Sequence, residues 1–263
     1  MASEETVAVR YEVHGDVAEI VMDHPPLNLY GAPLEEGLVA AVARAHAERP
    51  RALIFRAEGK VFTAGVDVHG FQHHDAGTYR ERNGGGLELT QALEDLPLPT
   101  IAAVHGLCLT IGLELSLACD LLLAGDDARF GLVERRVGIS PGMGGTQRMV
   151  ERAGTARARE FVMTGRLYGA AELMEWGVVN RVHPAASLLE EARALAADLA
   201  AGPTLAMAAT KAVVRVAADS GTRAADAKID ELTSHLIETE DAKTAVSTFL
   251  SEGPRARPKF SGR

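Results

Sequence analysis

Three things are scarce in this 263-residue chain: cysteine, long apolar runs and basic charge. Only Cys108 and Cys119 occur, both in apolar stretches. That weighs against a disulfide-stapled secreted domain and for small buried free thiols. No apolar run approaches the ~20 residues that span a bilayer. Met1–Thr6 is acidic and lacks the basic and apolar regions of a secretion leader, so a cytoplasmic protein with no membrane partner is expected. Lys and Arg total 27 against 36 Asp and Glu, a formal charge of -9. A phosphate-backbone partner needs clustered basic residues, so nucleic acid is not expected either. What remains is ordinary for a soluble enzyme-sized chain, with 47% apolar and 24% charged residues. The length fits one domain, or one domain with a helical appendage.

Residues 7–13 alternate, His14-Gly15-Asp16 turns, and Val17–Met22 reads as the second strand of a hairpin. Pro33 sits at a helix start, and Leu34, Leu38, Val39 and Val42 make an amphipathic helix to about Glu48. Ala52–Ala57 is a continuous apolar strand suited to burial on both faces. Residues 71–86 are polar with three glycines near the end, and read as a mobile segment over a site. Leu87–Leu96 reads as a helix feeding a strand, Thr100–Val104. Beyond Thr155 the chain reads as helices over 156–164, 170–176, 188–201, 204–219, 222–238 and 242–250. One short strand, Val178–Val182, interrupts them, and Gly154, Gly165, Gly202-Pro203 and Gly221 punctuate them. Periodicity alone gives only an α/β class.

The stretch from Thr100 to Thr146 organises the rest. A buried strand leads into Ile111, Leu115 and Ala118 at helical spacing, then an apolar strand Leu121–Ala124 and a glycine run Gly138–Gly145. Glu114 lies on the first turn of an otherwise apolar helix, and Glu134 in a loop before a tight turn. Burying an unpaired carboxylate is costly unless it has work to do. Two readings stand at this point: a solvated Glu114 with a Glu134–Arg ion pair to Arg135 or Arg136, or a paired acid/base site. The glycine run is not a phosphate loop, because no Lys-Ser/Thr follows it.

Four blocks, in order, resemble the enoyl-CoA hydratase/isomerase (crotonase) superfamily. They are Lys60-Val-Phe-Thr-Ala-Gly-Val-Asp67; Ile101-Ala-Ala-Val-His-Gly106 with Gly112-Leu-Glu-Leu and Cys119-Asp120; Phe130-Gly-Leu-Val-Glu134; and Gly138-Ile-Ser-Pro-Gly-Met-Gly-Gly-Thr-Gln-Arg148. Thr164-Gly165, Gly177-Val-Val-Asn180 and Pro258-Lys-Phe-Ser-Gly262 also fit, so the likeness covers nearly the whole chain. It implies a spiral of ββα turns over residues 1–200. A C-terminal helical region, 201–263, would pack trimers or dimers of trimers and cover the CoA site.

By resemblance, Glu114 and Glu134 would be the catalytic pair of an enoyl-CoA hydratase. Glu114 would deprotonate water and Glu134 would deliver a proton to Cα of a trans-2-enoyl-CoA. The backbone N–H groups of Val66 and Ile111 would form the oxyanion hole. Read as residues alone, both are plain core. Leu27, Lys60, Ala64, Asp67, Val68, Gly112, Val133, Gly142, Lys259 and Phe260 would bind the substrate or its CoA. Lys60 alone reads as a solvated lysine and the Asp67 side chain as a helix cap. No metal is implied and no cofactor, since CoA enters with the substrate. His69 and His73 are four apart, a helical metal spacing that the resemblance does not require. His105 reads as a hydrogen-bonded core residue. The chain departs from the family at Thr110-Ile111, where glycines are usual. A β-branched residue there narrows the space and disfavours positive φ, and Thr110 brings a hydroxyl near the thioester. That leaves two alternatives open: another acyl-CoA isomerase, hydrolase or lyase of the superfamily, or a catalytically silent CoA-ester-binding oligomer.

Overall fold

The computed structural model describes residues 7–73 and 75–262. The reading of Met1–Thr6 therefore falls outside the described residues. β1 (Val9–His14) and β2 (Val17–Met22) pair antiparallel, as the alternation predicts. α1 (Ala32–Glu48) follows, with Pro33 in its first turn. Its buried stripe of Leu34, Leu38, Ala41, Val42 and Ala45 recurs every three or four residues. β3 (Ala52–Ala57) then lies parallel to β2 and is buried along its whole length. α2 (Ala76–Glu94) leads to β4 (Thr100–Val104), parallel to β3.

From here each turn of chain lays down one strand in each of two sheets and then a helix. β4 is followed by β5 (Leu107–Leu109) and α3 (Ile111–Ala118). β6 (Leu121–Gly125) is followed by β7 (Arg129–Gly131), a short 3-10 turn Glu134–Val137, and α4 (Gly145–Thr164). β8 (Tyr168–Gly169), α5 (Ala170–Glu175) and β9 (Arg181–His183) complete the spiral. The large sheet runs β1-β2-β3-β4-β6-β9 and the small one β5-β7-β8. This is the expected α/β spiral.

One face of the large sheet joins the main core, which holds Leu53, Phe55, Ala102, Val104 and Leu122. Ala52, Ile54, Ile101, Ala103 and Leu123 on the other face are covered by α6 (Leu188–Ala200) through Leu188, Ala192, Ala196 and Ala200. Double coverage is why β3 and β4 carry no alternating pattern. α7 (Thr204–Ser220), α8 (Thr222–Thr233), a 3-10 turn Ser234–Glu238 and α9 (Glu240–Glu252) close the chain. Lys211 ties α7 to Asp120 at 3.0 Å.

Three expectations need correction. Residues 71–86 are largely ordered as helix, because Asp75 Oδ1 accepts from Thr78 N–H at 2.8 Å and starts α2. The glycines there permit close packing: a Cβ on Gly86 would run into the Met143 side chain. The strand expected from Val178 begins only at Arg181, since the amides of Val178 and Val179 bond to Leu173 C=O at 2.9 and 3.2 Å. The helix expected over 222–238 stops at Thr233 and ends in the 3-10 turn.

Candidate active site

Glu114 sits in the first turn of α3 and is 2% exposed. The solvated-face reading is therefore wrong. Its Oε1 accepts backbone N–H bonds from Met143 and Gly145, each 2.9 Å. The glycine run makes that approach possible, since a Cβ on Gly145 would lie 2.7 Å from Glu114 Cγ. Burial raises the Glu114 pKa; the two amides and the charge of Arg148 act against it. Arg148 is itself held by Glu94, with its Nε 3.0 Å from Glu94 Oε1.

Glu134 opens the 3-10 turn after β7 and is also buried. The expected ion pair with its neighbours does not form. Arg135 donates to Thr164 C=O at 2.9 Å and Arg136 to Gly165 C=O at 3.3 Å, both pointing away. Glu134 Oε2 is buried without a hydrogen-bond partner. Burial above all, and then the charge of Glu114, push the carboxyl up to about 7. Both glutamates line one cavity of about 30 Å³, together with Val66 and Gly142. That is room for roughly one or two water molecules. A buried carboxyl that titrates near pH 7 beside a second, amide-bonded carboxyl can work as an acid/base pair.

Val66 lines the same cavity, and Ile111 lies three residues before Glu114 on α3. Tyr30 bridges Val66 through its flanks, Tyr30 N–H to Gly65 C=O at 2.9 Å and Asp67 N–H to Tyr30 C=O at 3.0 Å. The Val66 N–H is left without a backbone acceptor among the described residues. Ile111 is the first residue of α3, where an N–H has no partner within the helix. Its side chain is core, 1% exposed, and does not line the cavity. The positive φ falls one residue earlier, on Thr110 (φ 48°, ψ -122°). Thr110 Oγ1 is buried without a partner, against Gly65.

The remaining expected residues divide. Ala64 N–H pairs with Leu27 C=O at 2.9 Å, which brings those two together, and Leu27 and Val68 are exposed at the surface. Asp67 is not the residue flanking a helix: its Oδ1 accepts from His69 N–H at 3.0 Å, two residues on at the start of the 3-10 turn, and meets His69 Nδ1 at 2.7 Å. Lys60 is exposed. Gly112 packs against the Thr63 side chain and does not line the cavity, nor does Val133, which precedes the 3-10 turn. Lys259 is exposed, and Phe260 is pinned through its C=O to Arg51 of its own chain at 2.9 Å. His105 Nε2 meets Gly59 C=O at 3.0 Å but is half-buried, short of the expected core position. His69 is committed to Asp67, and the helical His69–His73 spacing is lost in a 3-10 turn. His74 lies outside the described residues.

Sequence reading missed the wall supplied by α2. Tyr79, Arg82 and Asn83 line the cavity, and Gly86 meets Met143, also in its lining. Their spacing, i, i+3, i+4, i+7, is one helix face. The signal was present, but as polar residues, and apolar periodicity does not detect it.

A family model described as "Enoyl-CoA hydratase/isomerase" matches residues 12–262. A Bacillus subtilis (strain 168) protein named "Probable enoyl-CoA hydratase" is 32% identical over 264 residues, covering 97% of this chain and 99% of that relative. The 2,3-dehydroadipyl-CoA hydratase of Escherichia coli (strain K12) is 35% identical over 211 residues, 80% of each chain. The crystal structure of enoyl-CoA hydratase from Bacillus anthracis superposes with a TM-score of 0.90 at 28% identity, covering 97% of this chain and 100% of that one.

Proposed function

The chain belongs to the enoyl-CoA hydratase/isomerase family and is an acyl-CoA enzyme, and from that premise we propose that it adds water across the double bond of a trans-2-enoyl-CoA. The observation that carries this is the pair of buried glutamates facing one water-sized cavity. By resemblance, hydratases of the family have both glutamates, while isomerases typically keep only the second.

Glu114 Oε1 is occupied by two amides, which leaves Oε2 to take the proton of a water held in the cavity. The hydroxyl adds to C3 as the π electrons move toward the thioester oxygen. The Val66 and Ile111 N–H groups stabilise the resulting enolate charge. Glu134, in its protonated form, gives its proton to C2. Glu114 ends protonated and Glu134 ionised, and proton exchange with solvent resets them. Two carboxyls with raised pKa values titrate as a coupled pair, so one neutral and one charged form share the site.

CoA would lie against the surface near Leu27, Ala64, Asp67 and Val68, with Lys60 toward its phosphates. Lys259 and Phe260 of a neighbouring copy would close over it. Ile237, Phe249 and Leu250 are 69%, 57% and 78% exposed on the C-terminal helices, which supports a trimer or dimer of trimers built through residues 201–263. A cytoplasmic location is part of the same reading; no helix among the described residues is long and apolar enough to cross a membrane. The test is loss of conjugated-thioester absorbance with crotonyl-CoA and then longer 2-enoyl-CoAs. Steady loss at some length supports hydration. Binding without loss at every length refutes it.

A further inference from the structure

Arg82 is a cation with no assigned work. It borders the cavity of Glu114 and Glu134 and also a larger pocket of about 250 Å³ lined by Gly31, Ala32, Glu35 and Asp67. It is shared by the two linings. Its Nε is buried without a hydrogen-bond partner, while its charge acts on Asp67 and Tyr30. Its carbon rests 5.1 Å from the centre of the Phe71 ring, which holds the group in place by a cation–π contact. Nor is it there to neutralise the catalytic pair. The charges that act on Glu114 and Glu134 are Arg148 and Glu114 itself.

An alkyl chain extending from C3 would dehydrate this guanidinium and give nothing back. Tyr79, Asn83 and Ser140 beside it likewise present polar groups to the cavity. A planar fork of donors with an unpartnered Nε suits a carboxylate, which it can bind bidentately. We infer that Arg82 is the recognition site for a carboxylate at the far end of the acyl group, so that the substrate class is the CoA thioester of an unsaturated dicarboxylic acid. The inference rests on the hydratase reading for the reaction, but the binding it predicts does not depend on turnover.

The test pairs saturated thioesters that cannot react: succinyl-CoA with butyryl-CoA, glutaryl-CoA with pentanoyl-CoA, adipyl-CoA with hexanoyl-CoA, each titrated calorimetrically into the wild type, Arg82→Gln and Arg82→Lys. At one chain length or more, the wild type should bind the carboxylated ester about tenfold or more tightly than its methyl-ended partner, the factor a charge-assisted hydrogen bond supplies. Arg82→Gln should lose that preference and keep its affinity for the methyl-ended ester, and Arg82→Lys should keep part of it. Equal or weaker binding of every carboxylated ester overturns the inference, as does a preference that survives in Arg82→Gln. Tighter binding of a trimethylammonium-ended acyl-CoA would overturn it too, by assigning the pocket to Glu35 and Asp67. Crotonyl-CoA turnover, run in parallel, decides the hydratase reading separately.

Discussion

Glu134→Gln should make the protein more stable above neutral pH while stopping its chemistry. The native carboxyl titrates at about 7 against an ordinary value of 4.5. Between those values the folded state holds a proton that the unfolded chain has released. Stability therefore falls as pH rises through this window, and the full cost is reached above the folded pKa. A rise from 4.5 to about 7 corresponds to roughly 3 kcal/mol. With only 8% of Glu134 exposed, solvent screening removes little of it. Glutamine keeps the shape and carries no charge at any pH. Wild type and variant should match within about 1 kcal/mol near pH 4.5, and the variant should lead by up to roughly 3 kcal/mol at pH 8. That gap corresponds to a Tm difference on the order of 6–10 °C. The assay is urea or thermal unfolding of both proteins from pH 4.5 to 9. An unchanged pH slope in the variant would show that Glu134 is not the group being strained by burial. Glu114 is shifted in the same direction, so Glu114→Gln should remove a further part of the slope.

Other consequences follow from the same geometry. Gly145→Ala would put a Cβ 2.7 Å from Glu114 Cγ, and a displaced carboxylate should lower kcat by about a hundredfold with KM little changed. Steady-state kinetics would show it, and near-wild-type kcat would contradict the role given to that amide. Thr110→Gly removes a β-branched residue at φ 48° and an unpartnered buried hydroxyl. The relief of strain should exceed the entropy cost of glycine and stabilise the fold by about 1 kcal/mol. A lower urea midpoint would refute this. The rate of hydration should fall as pH rises past about 7, when the acid Glu134 ionises. A flat pH–rate profile from 6 to 9 would contradict its assignment as the acid.

How much of this could be read from the residues depended on the kind of signal. Ala52–Ala57 and Thr100–Val104 announce doubly buried strands because an unbroken apolar run has few other uses. Glu114 and Glu134 stood out as carboxylates among apolar or glycine-rich neighbours, but their convergence on one cavity is a property of three distant turns of chain. Only the order of the four blocks pointed to it. α2 was misread because its functional face is polar and its glycines imitate a loop, although Asp75 in front of Thr78 is a cap signal. The strain expected at Ile111 fell on Thr110, since the backbone reverses at the residue before the helix and not at its first turn. The tail is held by Arg51 through Phe260 C=O and by Asp241 through the Ser261 and Gly262 amides, contacts between distant parts of the chain that no local pattern encodes.

The central claim is that two carboxyls share the work of adding and removing the elements of water. It is tested most directly by crotonyl-CoA turnover, followed by thioester absorbance, in the wild type, Glu114→Gln and Glu134→Gln, with CoA-ester affinity measured on the same samples. Each substitution should lower kcat by about 10²–10⁴-fold while affinity stays within a few-fold of wild type. Turnover that survives in either variant would contradict it.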